Sequence, residues 1–429
     1  MTKLTSKILK GLFLGMIIGL ILNFMPENYV KDVVIIDGIL YLIGQIFLRA
    51  IMMMVVPLVF ISLVNGSSGV GDIKRLGRIG GKTLLFYILS TTVAITIGLG
   101  LGLLIKPGIG IDLANNVQSQ PNINENLPLV EVLLNMVPRN PIEALANGNM
   151  LQVIVFAIFT GLALSSIKEK AENIIKIFES LNELVLKMVE YVMYIAPVGV
   201  FALMARTFAT QGYQLMLPLL KYMFAVIAAL VIHGLVVYGG MLKVFTRLSI
   251  VKFIKNFAPA LSVAFSTASS GATLPVTLDT VVKRLGVSPK VASFTIPLGA
   301  TINMDGTALK QGIATVFIAQ VFGIELTFSA ILTVILTATL ASIGTAGVPG
   351  VGLIMLSMVL KSVGLPVEGI ALIMGIDRLL DMSRTAINIM GDAVCTVIIS
   401  KMEGEFDQSV FEAEPEKEEN FESRKAQLA

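Results

Sequence analysis

The chain has 429 residues, 55% of them hydrophobic and 14% charged, with a formal net charge of +3 and a mean hydropathy of +0.85. Apolar runs of about twenty residues recur along it, each able to cross a hydrocarbon core about 30 Å thick. That excludes a large soluble helical protein, which needs far more charged helix faces, and leaves an all-α polytopic membrane protein. A single cysteine, Cys395, excludes an intramolecular disulfide.

The first apolar run follows Lys3, Lys7 and Lys10, the layout of a secretory leader. No small-x-small cleavage site follows and more spans come later, so it reads as a retained helix. Spans are expected at 6–25, 38–64, 81–106, 128–166, 173–206 and 215–243, the fourth interrupted by Pro138 and Pro141. Basic residues gather at alternate span ends: Lys3, Lys7 and Lys10; Lys74, Arg75, Arg78 and Lys82; Lys168 and Lys170; Lys243, Arg247, Lys252 and Lys255. The other loops hold Glu27, Asp32 and Asp37, or the polar PGIGIDLANNVQSQPNINENLP. The positive-inside rule then puts both termini in the cytoplasm of a plasma-membrane protein. Residues 403–429, acidic and polar, read as a solvated cytoplasmic tail outside a membrane domain of residues 1–402.

The second half differs in kind. FSTASSGATLPVT (265–277) and ASIGTAGVPGVG (341–352) interrupt apolar runs in mid-membrane and share Ser-x-x-Ser/Thr-x-Gly: Ser266, Ser269 and Gly271 against Ser342, Thr345 and Gly347. Each has apolar arms of about fifteen residues, short for a full span. Each precedes a helix with Asn-x-x-Gly at mid-span, in NMDGT (303–307) and NIMGD (388–392). The pattern is a re-entrant hairpin followed by a polar-centred helix, made twice. Non-helical backbone at membrane depth survives only against protein or a watery cavity, and paired interruptions of this kind point to a transporter's substrate site. The plainer alternative is a pair of Gly/Pro-kinked helices with no ligand.

Five charges fall within sixteen residues of the last apolar stretch: Asp377, Arg378, Asp381, Arg384 and Asp392. At roughly 100° per residue, Asp377, Asp381, Arg384, Asn388 and Asp392 share an arc of about 80°, with Thr385 at its edge. Such a stripe must face protein or a cavity. An internal Asp381–Arg384 salt bridge accounts for two of these charges and leaves the rest. A guanidinium fork suits a carboxylate and a carboxylate suits an ammonium, so Arg384 and Asp381 together suit the side-chain carboxylate and α-amino group of an acidic amino acid. Ser269, Ser270 and hairpin amides are left for its other carboxylate. Asn303, Asp305, Asn388 and Asp392 offer hard oxygen ligands for an alkali cation. Asp305, Asp377, Asp381 and Asp392 against Arg378 and Arg384 leave two surplus negative charges. His233 reads as a buried, satisfied histidine, and Met52, Met53 and Met54 as packing residues.

The motifs SSGATLPVT, GATINMDGTAL, ASIGTAGVPGVG and DMSRTAINIMGD resemble the glutamate transporter family of dicarboxylate/amino-acid:cation symporters, over about residues 6 to 402. The resemblance implies eight transmembrane helices, two re-entrant hairpins (about 250–284 and 328–363), inverted repeats and a homotrimer embedded in lipid. It also implies an elevator mechanism, with a scaffold mainly in 6–64 and 128–206 and a mobile domain in 81–106, 215–243 and 250–402. Carried over by motif, the substrate site is Ser270, Thr307, Val348, Gly352, Asp381, Arg384, Thr385 and Asn388. One sodium site is Gly299, Asn303, Asn388 and Asp392. A second is Thr301, Met304, Ser342, Ile343 and Thr345, mainly through carbonyls, and a third is Tyr87, Ser90, Thr91, Asn303 and Asp305.

Two departures stand out. Ala268 occupies the hairpin-tip position where archaeal relatives have arginine, a role Arg378 is placed to take. Lys310 and Gln311 stand where mammalian relatives have Tyr-Glu, which argues against a mammalian proton-and-potassium cycle. The expected function is sodium-coupled uptake of aspartate or glutamate. Alternatives are a proton-coupled glutamate or C4-dicarboxylate symporter, a neutral amino-acid or cystine carrier, and an anion channel. Nucleic acid is not an expected partner. An intramembrane aspartyl protease requires Gly-x-Gly-Asp and Tyr-Asp; Ile389 breaks the first and the second is absent, so no enzyme is expected.

Overall fold

The apolar runs fold as helices. The computed structural model describes residues 3–68, 73–110, 134, 137–342 and 350–413. The first half comprises α1 (Lys3–Phe24), a π-helical segment Val30–Leu40 running into α2 (Tyr41–Ser68), α3 (Ile73–Ile105), α4 (Pro141–Asn147), α5 (Met150–Ser166) and α6 (Lys168–Gln211). Next come α7 (Met216–Ile232), a π-helical turn His233–Tyr238 and α8 (Gly239–Thr246). The second half holds α9 (Ile250–Thr267), α10 (Ser270–Lys283), α11 (Pro289–Ile302), α12 (Asp305–Val321), α13 (Phe328–Ser342), α14 (Val351–Ser362), α15 (Ile370–Met402) and a terminal turn, α16 (Gln408–Glu412).

Among the described residues, six helices are long and apolar enough to cross a membrane: Ser6–Phe24, Val30–Asn65, Ile79–Ile105, Lys168–Thr210, Gly212–Thr246 and Ile376–Met402. Of the expected interrupted span at 128–166, residues 137–140 are non-helical and are followed by α4 and the 17-residue α5, while 128–133, 135 and 136 lie outside the described residues. Pro141 begins α4, where its missing N–H is harmless. The side chain of Asn140 caps that helix, accepting from the amides of Ile142 and Glu143, and Gly148 ends it at φ 66°.

Helix packing begins at a glycine stripe on α1. Carbons added to Gly11, Gly15 and Gly19 would lie 2.4–2.5 Å from the carbonyl oxygens of Pro197, Phe201 and Ala205 on α6. Only bare α-carbons permit that approach, the small-xxx-small logic of membrane helices. One large apolar core joins α1, α2, α5, α6 and α7 to α12, α14 and α15, and a second joins α8 to α11 with α15.

Helix pairs α9–α10 and α13–α14 lie where the two hairpins are expected. Arms of 14 residues in α10 and 12 in α14 reach only about 18–21 Å, short of a 30 Å core. Helix α12 is buried on every side, with Gln320 its one partly exposed residue, and α15 is 78% buried over its most apolar window. Both carry charges through the interior.

The tail differs from the solvated segment expected from residue 403. Residues 403–413 fold back: Phe411 is fully buried, Asn256 Nδ2 donates to the Phe411 carbonyl at 3.0 Å, and Lys252 pairs with Glu412 at 2.7 Å. The amide of Asp407 donates to the Gly286 carbonyl at 2.7 Å. Phe406 and Phe411 supply an apolar anchor that the acidic composition hides. Residues 414–429 lie outside the described residues.

Candidate functional site

The site forms where α15 crosses the break between α11 and α12. At that break Asn303 is extended, at φ −87° and ψ 105°; its amide still donates to the Gly299 carbonyl at 2.8 Å, closing α11 there. Two asparagines staple it to α15. Asn303 Nδ2 donates to the Asn388 carbonyl at 3.0 Å and to Asp392 Oδ1 at 2.9 Å. Asn388 Oδ1 in turn accepts from the Gly306 amide at 2.8 Å. Broken helices in membranes need such replacement partners.

The expected stripe on α15 is buried along its length: Asp377, Asp381, Arg384, Asn388 and Asp392 are each at most 6% exposed. Arg384 Nε donates to Asp381 Oδ1 at 2.5 Å and Nη1 to Thr307 Oγ1 at 2.5 Å. The expected Asp381–Arg384 salt bridge is therefore present. Asp381 Oδ2 is buried and accepts no hydrogen bond; Arg378 Nη1 stands 3.7 Å away, beyond hydrogen-bond reach. Thr385 is buried and bonds back to the Asp381 carbonyl.

Ser269 caps α10, accepting from the Ala272 amide at 3.2 Å, and Ser270 is buried beside it. Gly352 is the second residue of α14, and a carbon added there would lie 3.2 Å from Lys310 Nζ and 3.5 Å from Arg384 Nε. Val348, Ile343 and Thr345 lie outside the described residues.

Two oxygen-rich clusters adjoin the stripe. In the first, Asn303 Oδ1 is buried without a partner near Asp392. A carbon on Gly299 would meet Asp392 Oδ1 and Tyr87 Oη, each at 2.5 Å. In the second, Asp305 accepts from Thr91 Oγ1 at 2.5 Å and Tyr238 Oη at 2.6 Å, with His233 Nε2 at 3.1 Å. Tyr87 itself donates to the Thr295 carbonyl at 3.3 Å, and Ser90 to the Tyr87 carbonyl. Met304 Sδ faces Asn388 Nδ2 at 3.3 Å, Ser342 bonds back to Thr339, and Thr301 is exposed, bonding back to Leu298. The Thr301 hydroxyl is therefore not brought to the cluster.

Sequence reasoning named Lys310 and His233 without their partners and missed Tyr238. Lys310 Nζ lies 2.5 Å from Asp377 Oδ1 and 4.0 Å from Asp381 Oδ1. Counting it leaves one surplus negative charge instead of two. His233 is buried but incompletely satisfied, since its Nδ1 has no partner. Tyr238 joins it because the intervening turn is π-helical; the rings meet edge-on at 4.5 Å. Five residues on an α-helix point about 140° apart, so no periodicity in the sequence announces the pair. An apolar cavity of ≈ 550 Å³ lies elsewhere, between Leu230, Gly234, Phe265, Ile387 and Met390.

A buried stripe of opposite charges on a membrane-length helix, packed against a broken helix, suits the carriage of a small charged solute. Residues 4–402 match the sodium:dicarboxylate symporter family. The chain belongs to that family, as its motifs implied, and is a transporter, not an enzyme. It is 38% identical over 412 residues to a proton/sodium-glutamate symport protein of Bacillus caldotenax, covering 94% of this chain and 96% of the relative. It is 38% identical over 415 residues to a proton/glutamate-aspartate symporter of Escherichia coli (strain K12), covering 94% of each. A C4-dicarboxylate transport protein of Bacillus subtilis (strain 168) is 32% identical over 414 residues, 95% of each chain.

Proposed function

We propose that the chain is a secondary active transporter carrying L-aspartate or L-glutamate into the cell with sodium ions. The observation that carries this reading is the Arg384–Asp381 pair, held at 2.5 Å, with Asp381 Oδ2 buried, without a hydrogen bond and 3.7 Å from Arg378 Nη1. Arg384 takes the substrate's side-chain carboxylate, with Thr307 beside it. Asp381 Oδ2 takes the α-amino group, and Asn388 with the Ser269–Ser270 hairpin takes the α-carboxylate. Dicarboxylates without an amine leave Asp381 Oδ2 unsatisfied, so they rank below amino acids.

Sodium is a cargo ion on this reading. The unpartnered Asn303 Oδ1 beside Asp392 supports one site, and Asp305 with Thr91 supports another. Family membership supports the remaining features: eight spans, re-entrant hairpins in inverted repeats, a homotrimer, an elevator movement against a scaffold in 6–64 and 128–206, and cytoplasmic termini in the plasma membrane. A second reading, proton coupling, is favoured by one observation. Asp305 has a buried histidine 3.1 Å away, a titratable pair where a cation is expected.

Proteoliposomes decide between them. Labelled aspartate should enter under an inward sodium gradient at matched pH. Uptake that ignores sodium and follows a proton gradient would overturn the coupling, and no uptake of either acidic amino acid would overturn the substrate.

A further inference from the structure

Lys310 is a charged group of this site that neither the substrate nor the cation assignment uses. It projects from α12 one turn beyond Thr307 and is fully buried. Its ammonium carries three donors. Asp377 Oδ1 takes one at 2.5 Å, while Asp381 Oδ1 at 4.0 Å is too far for a hydrogen bond.

The position over Gly352 is informative. A carbon placed there would lie 3.2 Å from Lys310 Nζ, 3.5 Å from Arg384 Nε and 3.6 Å from Arg384 Cζ. Two cationic heads, from α12 and α15, therefore converge on the bare α-carbon of the second residue of α14. Even one carbon at residue 352 would touch both heads. An ion pair serving only the bundle needs Asp377 and nothing more. It does not account for the convergence with Arg384.

We propose that Lys310 is a specificity-determining residue that forms, with Arg384, a two-cation cradle over Gly352 for the substrate's second carboxylate. The inference rests on the acidic-substrate reading above. Arg384 supplies the planar fork and Lys310 a point charge, and Asp377 holds the ammonium in position while the site is empty. A substrate whose distal group is a carboxylate gains both cations; one with a neutral distal group gains neither charge interaction.

The test is equilibrium binding of radiolabelled aspartate to the purified full-length protein in lipid nanodiscs at saturating sodium, competed with succinate and with asparagine. Lys310→Met is compared with Lys310→Met/Asp377→Asn, which leaves no buried carboxylate without its cation and so guards against simple misfolding. Both variants should weaken aspartate and succinate by about tenfold or more, while asparagine shifts less than about threefold. Equal shifts for all three ligands, or none in the charge-balanced double variant, overturn the cradle and leave a structural ion pair. If the unmodified protein binds neither aspartate nor glutamate, the proposed function and the cradle both fall. If it binds them and only the selectivity stays unchanged, the cradle alone falls.

Discussion

Arg384→Gln isolates the interaction on which the substrate assignment depends. The guanidinium spends Nε on Asp381 and Nη1 on Thr307, both at 2.5 Å, which fixes its orientation. A carboxylate accepting two charge-assisted hydrogen bonds from it gains about 1.5–3 kcal/mol from each. Their loss is therefore about 3–6 kcal/mol, or about 10²–10⁴-fold in affinity. Lys310 remains as a second cation, which puts the expected loss for aspartate at the lower end, about 10²-fold. Binding of a neutral analogue such as serine should change little. The substitution also strips Asp381 of its nearest cation, leaving Arg378 at 3.7 Å and Lys310 at 4.0 Å. Breaking a buried pair in this way costs about 3–5 kcal/mol of stability, so binding is best read in nanodiscs well below the thermal midpoint. A folded Arg384→Gln protein with aspartate affinity within tenfold of wild type would refute the assignment.

Gly299→Ala places a methyl 2.5 Å from Asp392 Oδ1 and Tyr87 Oη; half-saturation of uptake by sodium should rise about tenfold or more, with little change at saturating sodium. Phe411→Ala removes a fully buried ring worth about 3–5 kcal/mol. Hydrogen exchange should then accelerate in residues 403–413 and not in α15, and protection that stays intact would contradict the docking. Glu405 accepts from Ser288 Oγ at 2.6 Å and pairs with Lys290, and these contacts hold its carboxyl below the ordinary glutamate value. A depressed folded pKa means stabilisation present above the unfolded value and lost as pH falls through the folded one. The docked segment should therefore loosen on acidification below the ordinary glutamate range, and exchange that is flat across that range would count against the contact.

Periodicity carried most of what the sequence offered. A spacing of four, three, four and four fixes which side of a helix Asp377 to Asp392 occupy, because α-helical geometry is local. The same locality explains the break between α9 and α10, where Ala268 and Ser269 leave the helical conformation; residues 343–349 lie outside the described residues. The groups that escaped are those whose neighbours come from far along the chain. Lys310 meets Asp377 across 67 residues, and nothing in either local pattern encodes that meeting. His233 and Tyr238 converge only because a π-helical turn resets the period between them. Pro141 looked like an interruption because proline breaks a helix interior, yet at a first turn it is well suited. The start of the tail was misjudged from its average composition, in which two phenylalanines are outnumbered by acids.

Lys310 also alters the electrical balance of transport. Four buried carboxylates, Asp305, Asp377, Asp381 and Asp392, face three cations, Lys310, Arg378 and Arg384, a net of −1 with histidine counted neutral. On the proposed reading an acidic amino acid adds one negative charge, so two sodium ions bring the loaded site to zero and the empty site returns at −1. Each elementary charge crossing 100 mV exchanges about 2.3 kcal/mol with the field. An inside-negative potential then leaves the loaded step unaffected and drives the empty return outwards. One net positive charge should enter per aspartate, a number that reversal potentials in proteoliposomes give directly under set sodium and aspartate gradients. With Lys310→Met the empty site carries −2, neutrality of the loaded site takes a third sodium, and two charges should enter per aspartate. A wild-type value of zero or two, or a variant value unchanged from wild type, would refute this role for the Lys310 charge.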